Sequence, residues 1–113
     1  MVNPVCWIDF HGMDVAKKSK FFQDVFGWEC SPLGERYALW TSGEGEIGGG
    51  LNDEGEPKTI AYISVDDIEA SLKSIAENGG KTVLPKSKLD GDHGFIALFT
   101  DCCGTTVGLW SKT

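Results

Sequence analysis

The feature that most constrains the fold of this chain is an internal repeat. Residues 5–11 alternate between two faces, and a segment with apolar residues at helical spacing then runs from Asp14 to Gly27. The same order returns 53 residues later, with Asp67 and Gly80 in the corresponding places. Alternation predicts a strand, and the helical spacing predicts an amphipathic helix. Each unit of this kind buries one face of its sheet under its own helix and needs the second copy to cover the other face.

Three more strand-like segments follow each helix and are separated by turns rich in Gly, Pro and Ser. The sequence therefore predicts an α+β fold in a single domain, with two βαβββ modules whose eight strands form an open barrel or cup and whose helices lie outside. Module one spans residues 1–52, a polar linker spans 53–58, and module two spans 59–113. Residues 85–94, rich in Lys, Asp and Gly, are predicted to be a flexible stretch. The remaining predicted strands cover residues 28–30, 36–41 and 46–51 in module one and residues 81–84, 95–99 and 105–110 in module two.

The charge balance excludes some classes of partner. The 113 residues carry 17 acidic and 10 basic side chains, for a formal net charge of −7. Nucleic acids and anionic membranes require clustered Lys and Arg, so neither is an expected partner.

With no targeting segment or membrane-length apolar run in the sequence, we expect a cytoplasmic protein with reduced thiols. The adjacent Cys102 and Cys103 could report oxidation or bind a soft metal, but small residues filling a turn are the more frequent situation.

Four segments carry a resemblance to a known family. The run Asp14-Val15-Ala16-Lys17-Lys18-Ser19-Lys20-Phe21-Phe22-Gln23-Asp24-Val25-Phe26-Gly27-Trp28 resembles the "D-x6-F-Y-x-D-x-L-G-F" helix of the vicinal oxygen chelate superfamily. Val65-Asp66-Asp67-Ile68 with Gly79-Gly80 resembles the corresponding motif of the second module, and Asp101-Cys102-Cys103-Gly104 stands where the family has "D-P-x-G". The superfamily includes glyoxalase I, bleomycin-resistance proteins and extradiol dioxygenases. The resemblance implies the two-module cup and a homodimer.

In metal-dependent members of this superfamily, four strand residues bind a divalent ion through His, Gln or Glu. The resemblance places these positions on Trp7, Gly48, Ile60 and Gly108. None of these side chains offers the oxygen or nitrogen donors that such ions need, so we expect no metal and no cofactor. A slip of two residues could bring in Asp9, Glu46 or Tyr62 instead.

Asp9 is the strongest candidate for chemistry because alternation puts it on the predicted inner face, between Trp7 and His11. A buried carboxylate must be paired, so Asp9 could bind a cationic ligand, act as a general base, or pair structurally with Arg36 or a backbone amide.

His11 and His93 are candidate bases or ligands, although exposure at a strand end is the more frequent situation for such histidines. Aromatic residues at the inner face, which are Trp7, Tyr62 and Trp110, suit a planar or cationic organic molecule, or they fill the barrel. Gly48 and Gly108 make room either for tryptophans or for a ligand.

Three functions follow from these features. The first is a metal-free protein that binds a small molecule, either a drug or a metabolite, with Trp7, Asp9, Gly48, Ile60, Tyr62, Gly108 and Trp110 as binding residues. The second is a lyase, isomerase or oxygenase that uses an atypical acid/base or metal site around Asp9, with His11 as the other candidate catalytic residue. The third is a dimeric interaction module without a ligand.

Overall fold

The computed structural model describes residues 2–113 of the chain. These residues form eight strands and two helices in the order predicted from the repeat. Two compact units are present: residues 7–60 form one, and residues 2–6 together with residues 61–113 form the other. The elements in chain order are β1 (Val5–His11), α1 (Val15–Phe26), β2 (Glu29–Pro32), β3 (Tyr37–Thr41), β4 (Gly48–Asn52), β5 (Lys58–Ser64), α2 (Ile68–Glu77), β6 (Lys81–Lys88), β7 (Phe95–Thr100) and β8 (Thr106–Ser111).

The first module has the strand order β2-β3-β4-β1, in which β1 and β4 are parallel and the other pairs are antiparallel. Its helix begins and ends where the sequence predicts. The Asp14 side chain accepts a hydrogen bond from the Lys17 backbone N–H at 3.0 Å, which satisfies one free donor of the first turn. Gly27 ends the helix with a left-handed backbone (φ 72°), a conformation that costs glycine little because it has no Cβ.

Aromatic side chains bind α1 to the sheet of the first module. The Phe22 and Trp28 rings stack with their centroids 4.7 Å apart, and Trp28 stacks on Trp40 at 4.3 Å. Phe10 joins the same stack from β1. Trp40 is 4% exposed, and its indole Nε1–H donates to the Gly50 carbonyl oxygen at 3.1 Å. Because these rings occupy the helix-facing side, the odd-numbered residues of β1 are left on the opposite face.

The second module has the strand order β5-β8-β7-β6, with β5 and β8 parallel. Asp67 caps α2 by accepting from the Ala70 backbone N–H at 3.0 Å. The helix ends at Glu77, and Asn78 caps it directly before the left-handed Gly79 (φ 95°). Under α2 lies an aliphatic and aromatic core made of Val65, Ile68, Ala97, Phe99 and Leu109.

The expectation of a flexible stretch over residues 85–94 is wrong for its first part. Strand β6 continues to Lys88, through Pro85, and pairs with β7 despite two irregularities in register. Proline has no N–H to donate and is tolerated on an outermost strand, especially beside a bulge. The strand β6 is the outermost strand of its module. Pro32 occupies the same kind of position on β2, the outermost strand of the first module.

The α+β class and the two βαβββ modules are thus confirmed. Most of the sequence-predicted strand limits differ from the observed ones by one or two residues, because hydrogen-bond pairing rather than composition sets the last paired residue. Within residues 2–113, no helix combines the length and the apolarity needed to cross a bilayer.

Candidate functional site

A buried carboxylate lies on the first-module sheet face that points away from α1. Asp9 is 8% exposed and accepts two hydrogen bonds at the same oxygen, Oδ1. The Trp7 indole Nε1–H donates to it at 2.7 Å, and the Tyr37 hydroxyl donates at 3.2 Å. Trp7 and Asp9 share this face because they stand two residues apart on β1. Hydrogen bonds of this kind compensate the cost of burying the charge and hold the carboxylate in one orientation.

Gly50 makes this arrangement possible. It lies opposite Asp9 in the parallel β1–β4 pair and opposite Leu39 in the antiparallel β3–β4 pair. A Cβ atom at this position would collide with the Tyr37 hydroxyl and would lie 2.6 Å from Asp9 Oδ1. The absence of a side chain therefore leaves the space in which the carboxylate and the phenol meet. Neither Tyr37 nor Gly50 was among the sequence-predicted site residues, although the alternation of β3 and β4 could have placed both on this face.

Arg36, one of the alternative partners that the sequence offered for Asp9, pairs with Asp53 instead. The Arg36 guanidinium Nε lies 3.0 Å from the Asp53 carboxylate and forms an exposed ion pair with it. This ion pair lowers the pKa of Asp53, chiefly through the hydrogen bond from Arg36. Asp9 instead satisfies its charge with the neutral donors of Trp7 and Tyr37.

His11 follows Asp9 at the end of β1, on the same face. Its Nε2 atom is buried and has no hydrogen-bond partner among the residues that the structure describes. Burial lowers the pKa of His11 because it disfavours the imidazolium, and the nearby Asp9 carboxylate opposes this effect only in part. His11 is therefore biased toward the neutral imidazole, which can either accept or donate a proton.

In the second module, the predicted site residues are packed against protein atoms. Ile60 is 2% exposed and Tyr62 is also buried. Gly108 lies opposite Tyr62 in the β5–β8 pair, and a Cβ atom there would collide with the Tyr62 ring. The Trp110 indole Nε1–H donates to the His93 carbonyl oxygen at 2.7 Å, which fixes the ring against the loop before β7.

The sequence did not decide whether Gly48 and Gly108 make room for tryptophans or for a ligand. In the structure, both glycines accommodate neighbouring protein groups. A Cβ atom at Gly48 would lie 2.9 Å from the Trp40 carbonyl oxygen. The indole of Trp40 instead lies against Gly49, one residue further along β4. Within each module, backbone and ring atoms thus explain why these positions lack side chains.

The side chains at the four positions to which the resemblance assigns metal ligands do not fit a metal ion. Trp7 lies opposite Gly48, and an indole and a glycine provide no side-chain lone pair for a divalent ion. In the second module, Gly108 lies opposite Tyr62 rather than Ile60, so these two positions are not paired in the same way. Across residues 2–113, no group of three or more His, Cys, Asp and Glu side chains is arranged to hold a metal.

Comparison with known proteins identifies the family. No family model matches the chain. A glyoxylase-like domain-containing protein of Didymella fabae is 31% identical over 93% of this chain and 91% of its own length. The chain belongs to the glyoxylase-like proteins of the vicinal oxygen chelate superfamily. A protein of Mycobacterium tuberculosis that carries a glyoxylase name, CFP32, is 30% identical over 92% of this chain. This glyoxylase-like chain spans only 44% of that mycobacterial relative.

Solved structures show the same fold for the glyoxylase-like chain. The Mn(II)-bound glyoxalase from Novosphingobium aromaticivorans superposes with a TM-score of 0.72 at 17% identity and covers 98% of this chain and 40% of its own. A methylmalonyl-CoA epimerase in complex with methylmalonyl-CoA and NH4+ superposes with a TM-score of 0.72 at 16% identity, over 100% of this chain and 96% of its own. At these identities the likeness concerns the fold alone.

Proposed function

We propose that this glyoxylase-like protein binds a small organic molecule without a metal ion, through the sheet face that carries Trp7, Asp9 and Tyr37. The observation that carries the proposal is the fixed carboxylate of Asp9, which accepts both of its hydrogen bonds at Oδ1. The second oxygen of the carboxylate is then the acceptor for a ligand. An indole and a phenol flank it, and aromatic rings beside a carboxylate suit a planar cation through stacking and cation–π attraction.

His11 supports the same proposal. A buried ring nitrogen without a partner costs free energy that a ligand could recover by supplying a hydrogen bond. The neutral imidazole and the Asp9 carboxylate together provide one donor or acceptor and one anionic acceptor. That pair would select a ligand with both a positive charge and a polar group, such as an aromatic amine of a drug or a metabolite.

The test is a titration of the intrinsic tryptophan fluorescence with planar aromatic cations and with neutral molecules of the same shape. We expect the cations to bind more tightly to the native protein and the preference to disappear in Asp9→Asn, which keeps the shape of the side chain. Asp92→Asn, in the exposed loop before β7, is the matched control and should retain the preference. Equal binding of cations and neutral analogues by the native protein would overturn the proposed role of Asp9.

The second candidate function is an isomerase or lyase of the same superfamily. Asp9 and His11 provide a potential acid/base pair on one strand face, and a His11 biased toward the neutral form can accept a proton. A structural neighbour binds methylmalonyl-CoA, so this thioester is a rational first probe. Incubation in deuterated water should introduce deuterium at the acidic carbon with the native protein and not with Asp9→Asn. If the native protein incorporates no deuterium, thioesters of this kind are excluded as substrates, and binding without turnover is favoured.

A homodimer is the oligomeric state we propose. Phe21, Val25 and Phe26 on α1 are each more than half exposed, which is unusual for large apolar side chains on one helix. The mycobacterial relative is more than twice the length of the matched region, so two copies of this chain would approach its length. Light scattering should give twice the chain mass for the native protein and the single-chain mass for Phe21→Ser/Phe26→Ser. Leu33→Ser, an exposed apolar residue outside α1, is the control that should remain dimeric.

A further inference from the structure

The turn between β7 and β8 presents two adjacent thiols that the proposed binding site does not use. Cys102 and Cys103 are both exposed, and their Sγ atoms lie 3.9 Å apart. The sulfurs therefore face each other across one peptide unit instead of pointing in opposite directions. The other two cysteines, Cys6 and Cys30, are half-buried on different strands.

Backbone hydrogen bonds hold this turn in shape. The Asp101 Oδ1 atom accepts from the Cys103 N–H at 2.9 Å and from the Thr105 N–H at 3.0 Å. The Gly104 N–H donates to the Asp101 carbonyl oxygen at 3.1 Å, and the Asp101 N–H donates to the Thr105 carbonyl oxygen at 2.9 Å. A Cβ atom at Gly79 would lie 3.5 Å from the Cys102 Cβ, so glycine at this position places no side chain beside Cys102. The pair is thus both fixed and open to solvent.

The geometry suits a bridging ion better than a disulfide. Adjacent Cα atoms across a trans peptide lie about 3.8 Å apart, below the range of about 4.4–6.8 Å for ordinary disulfides. Metal–thiolate bonds of about 2.3 Å could join sulfurs 3.9 Å apart with an S–metal–S angle of about 115°. That angle is close to trigonal. The sulfurs therefore need to move little to bind an ion but a great deal to bond to each other.

The available ligands restrict the ion. Structural Zn²⁺ needs four ligands, and within residues 2–113 no third His, Cys, Asp or Glu completes a set around these thiols. The Asp101 carboxylate accepts two backbone N–H groups at Oδ1, and it does not join the two thiols in a group of three ligands within residues 2–113. Thiolates are soft ligands and select Cu(I), which does not require four protein ligands.

We propose that Cys102 and Cys103 form a surface chelate for Cu(I), with a third ligand supplied from solution. On binding, the two S–H groups lose their protons to the solvent, two Cu–S bonds form, and no electron is transferred. The site lies in the second module and uses none of the residues of the Asp9 face.

The experiment is an anaerobic titration of the full chain with Cu(I) held by bathocuproine disulfonate, followed by the absorbance of the competitor complex. We expect one Cu(I) per chain and a loss of about 10²–10⁴-fold in affinity in Cys102→Ser and in Cys103→Ser, because one remaining thiolate loses the advantage of the linked pair. Cys6→Ser and Cys30→Ser are the matched controls and should bind as the native chain does.

Three results would overturn the proposal. One is native-like Cu(I) affinity in Cys102→Ser/Cys103→Ser, which would place the ion elsewhere. Another is a stoichiometry of one Cu(I) per two chains by native mass spectrometry, which would mean that each chain contributes a single thiolate. The third is no transfer of Cu(I) from the competitor at any protein concentration. Circular dichroism of each variant establishes that the turn substitutions leave the fold intact.

Discussion

At the scale of single residues, the protonation of His11 makes the free energy of unfolding depend on pH. Burial lowers its pKa, so the folded protein binds the proton less readily than the unfolded chain does. The neutral form of His11 therefore stabilises the folded state fully at a pH above the ordinary histidine pKa of about 6.5. This stabilisation decreases as the pH falls through that value toward the lower pKa of His11 in the folded state. The Asp9 carboxylate moderates this effect because it favours the imidazolium.

We expect the melting temperature of the native protein to fall between pH 7.5 and pH 5.5, and His11→Gln to reduce that fall. Glutamine keeps a polar side chain but cannot take up a proton in this range. His93→Gln, in the exposed loop before β7, is the matched control for the effect of replacing a histidine by glutamine. An identical pH dependence in His11→Gln and in the native protein would show that His11 does not contribute to it.

Gly50 is the second residue on which the site depends. Alanine at this position would force its Cβ into the Tyr37 hydroxyl and Asp9 Oδ1, and overpacking of this kind costs about 1–3 kcal/mol. Gly50→Ala should therefore lower the free energy of unfolding and weaken ligand binding together. Gly104→Ala, where no atom lies within 4 Å but the backbone is left-handed (φ 91°), should lose stability through backbone strain and keep ligand binding. Denaturation curves and the fluorescence titration separate the two effects.

At the scale of elements, the stack of Phe22, Trp28 and Trp40 holds α1 on its sheet and fixes which face of β1 is free. The two tryptophans that donate to backbone carbonyls offer a direct comparison. Trp40 is almost fully buried against Gly49 and donates to Gly50, whereas Trp110 is half-buried and donates to His93.

We expect Trp40→Phe to lower the free energy of unfolding by about 2–4 kcal/mol, because it leaves a cavity in the stack and removes the buried hydrogen bond from the indole to the Gly50 carbonyl. Trp110→Phe removes the same indole N–H at a half-buried position and should cost about 1 kcal/mol, the net value of a hydrogen bond. Urea denaturation of both variants makes the comparison. Equal losses would indicate that the aromatic stack contributes nothing beyond the hydrogen bond.

At the scale of the whole molecule, the absence of donors at Trp7, Gly48, Ile60 and Gly108 predicts how the protein responds to ions. An ion that binds the folded state at 100 times its dissociation constant stabilises it by about 2.7 kcal/mol. Mn(II) or Mg(II) should therefore leave the melting temperature unchanged. The measurement is best made on Cys102→Ser/Cys103→Ser, so that the surface thiols cannot contribute. A saturable rise in melting temperature with Mn(II) would contradict the metal-free proposal.

The repeat is what made most of the fold predictable. Asp14, Gly27 and Asp67 mark helix limits through local chemistry, since a carboxylate caps free N–H groups and glycine accepts a left-handed backbone. Alternation in β1 likewise placed Trp7, Asp9 and His11 on one face. The continuation of β6 through Pro85 was missed because the partner strand β7, rather than local composition, extends it.

The sequence by itself determined the order of elements, the helix limits and the shared face of Trp7, Asp9 and His11, because each depends on residue type and on spacing along one element. Only the tertiary structure decided that Tyr37 and Gly50 complete the surroundings of Asp9 and that Arg36 pairs with Asp53. It also decided that Gly108 makes room for Tyr62. These are contacts between residues on different segments, and strand register, which no single segment contains, brings them together.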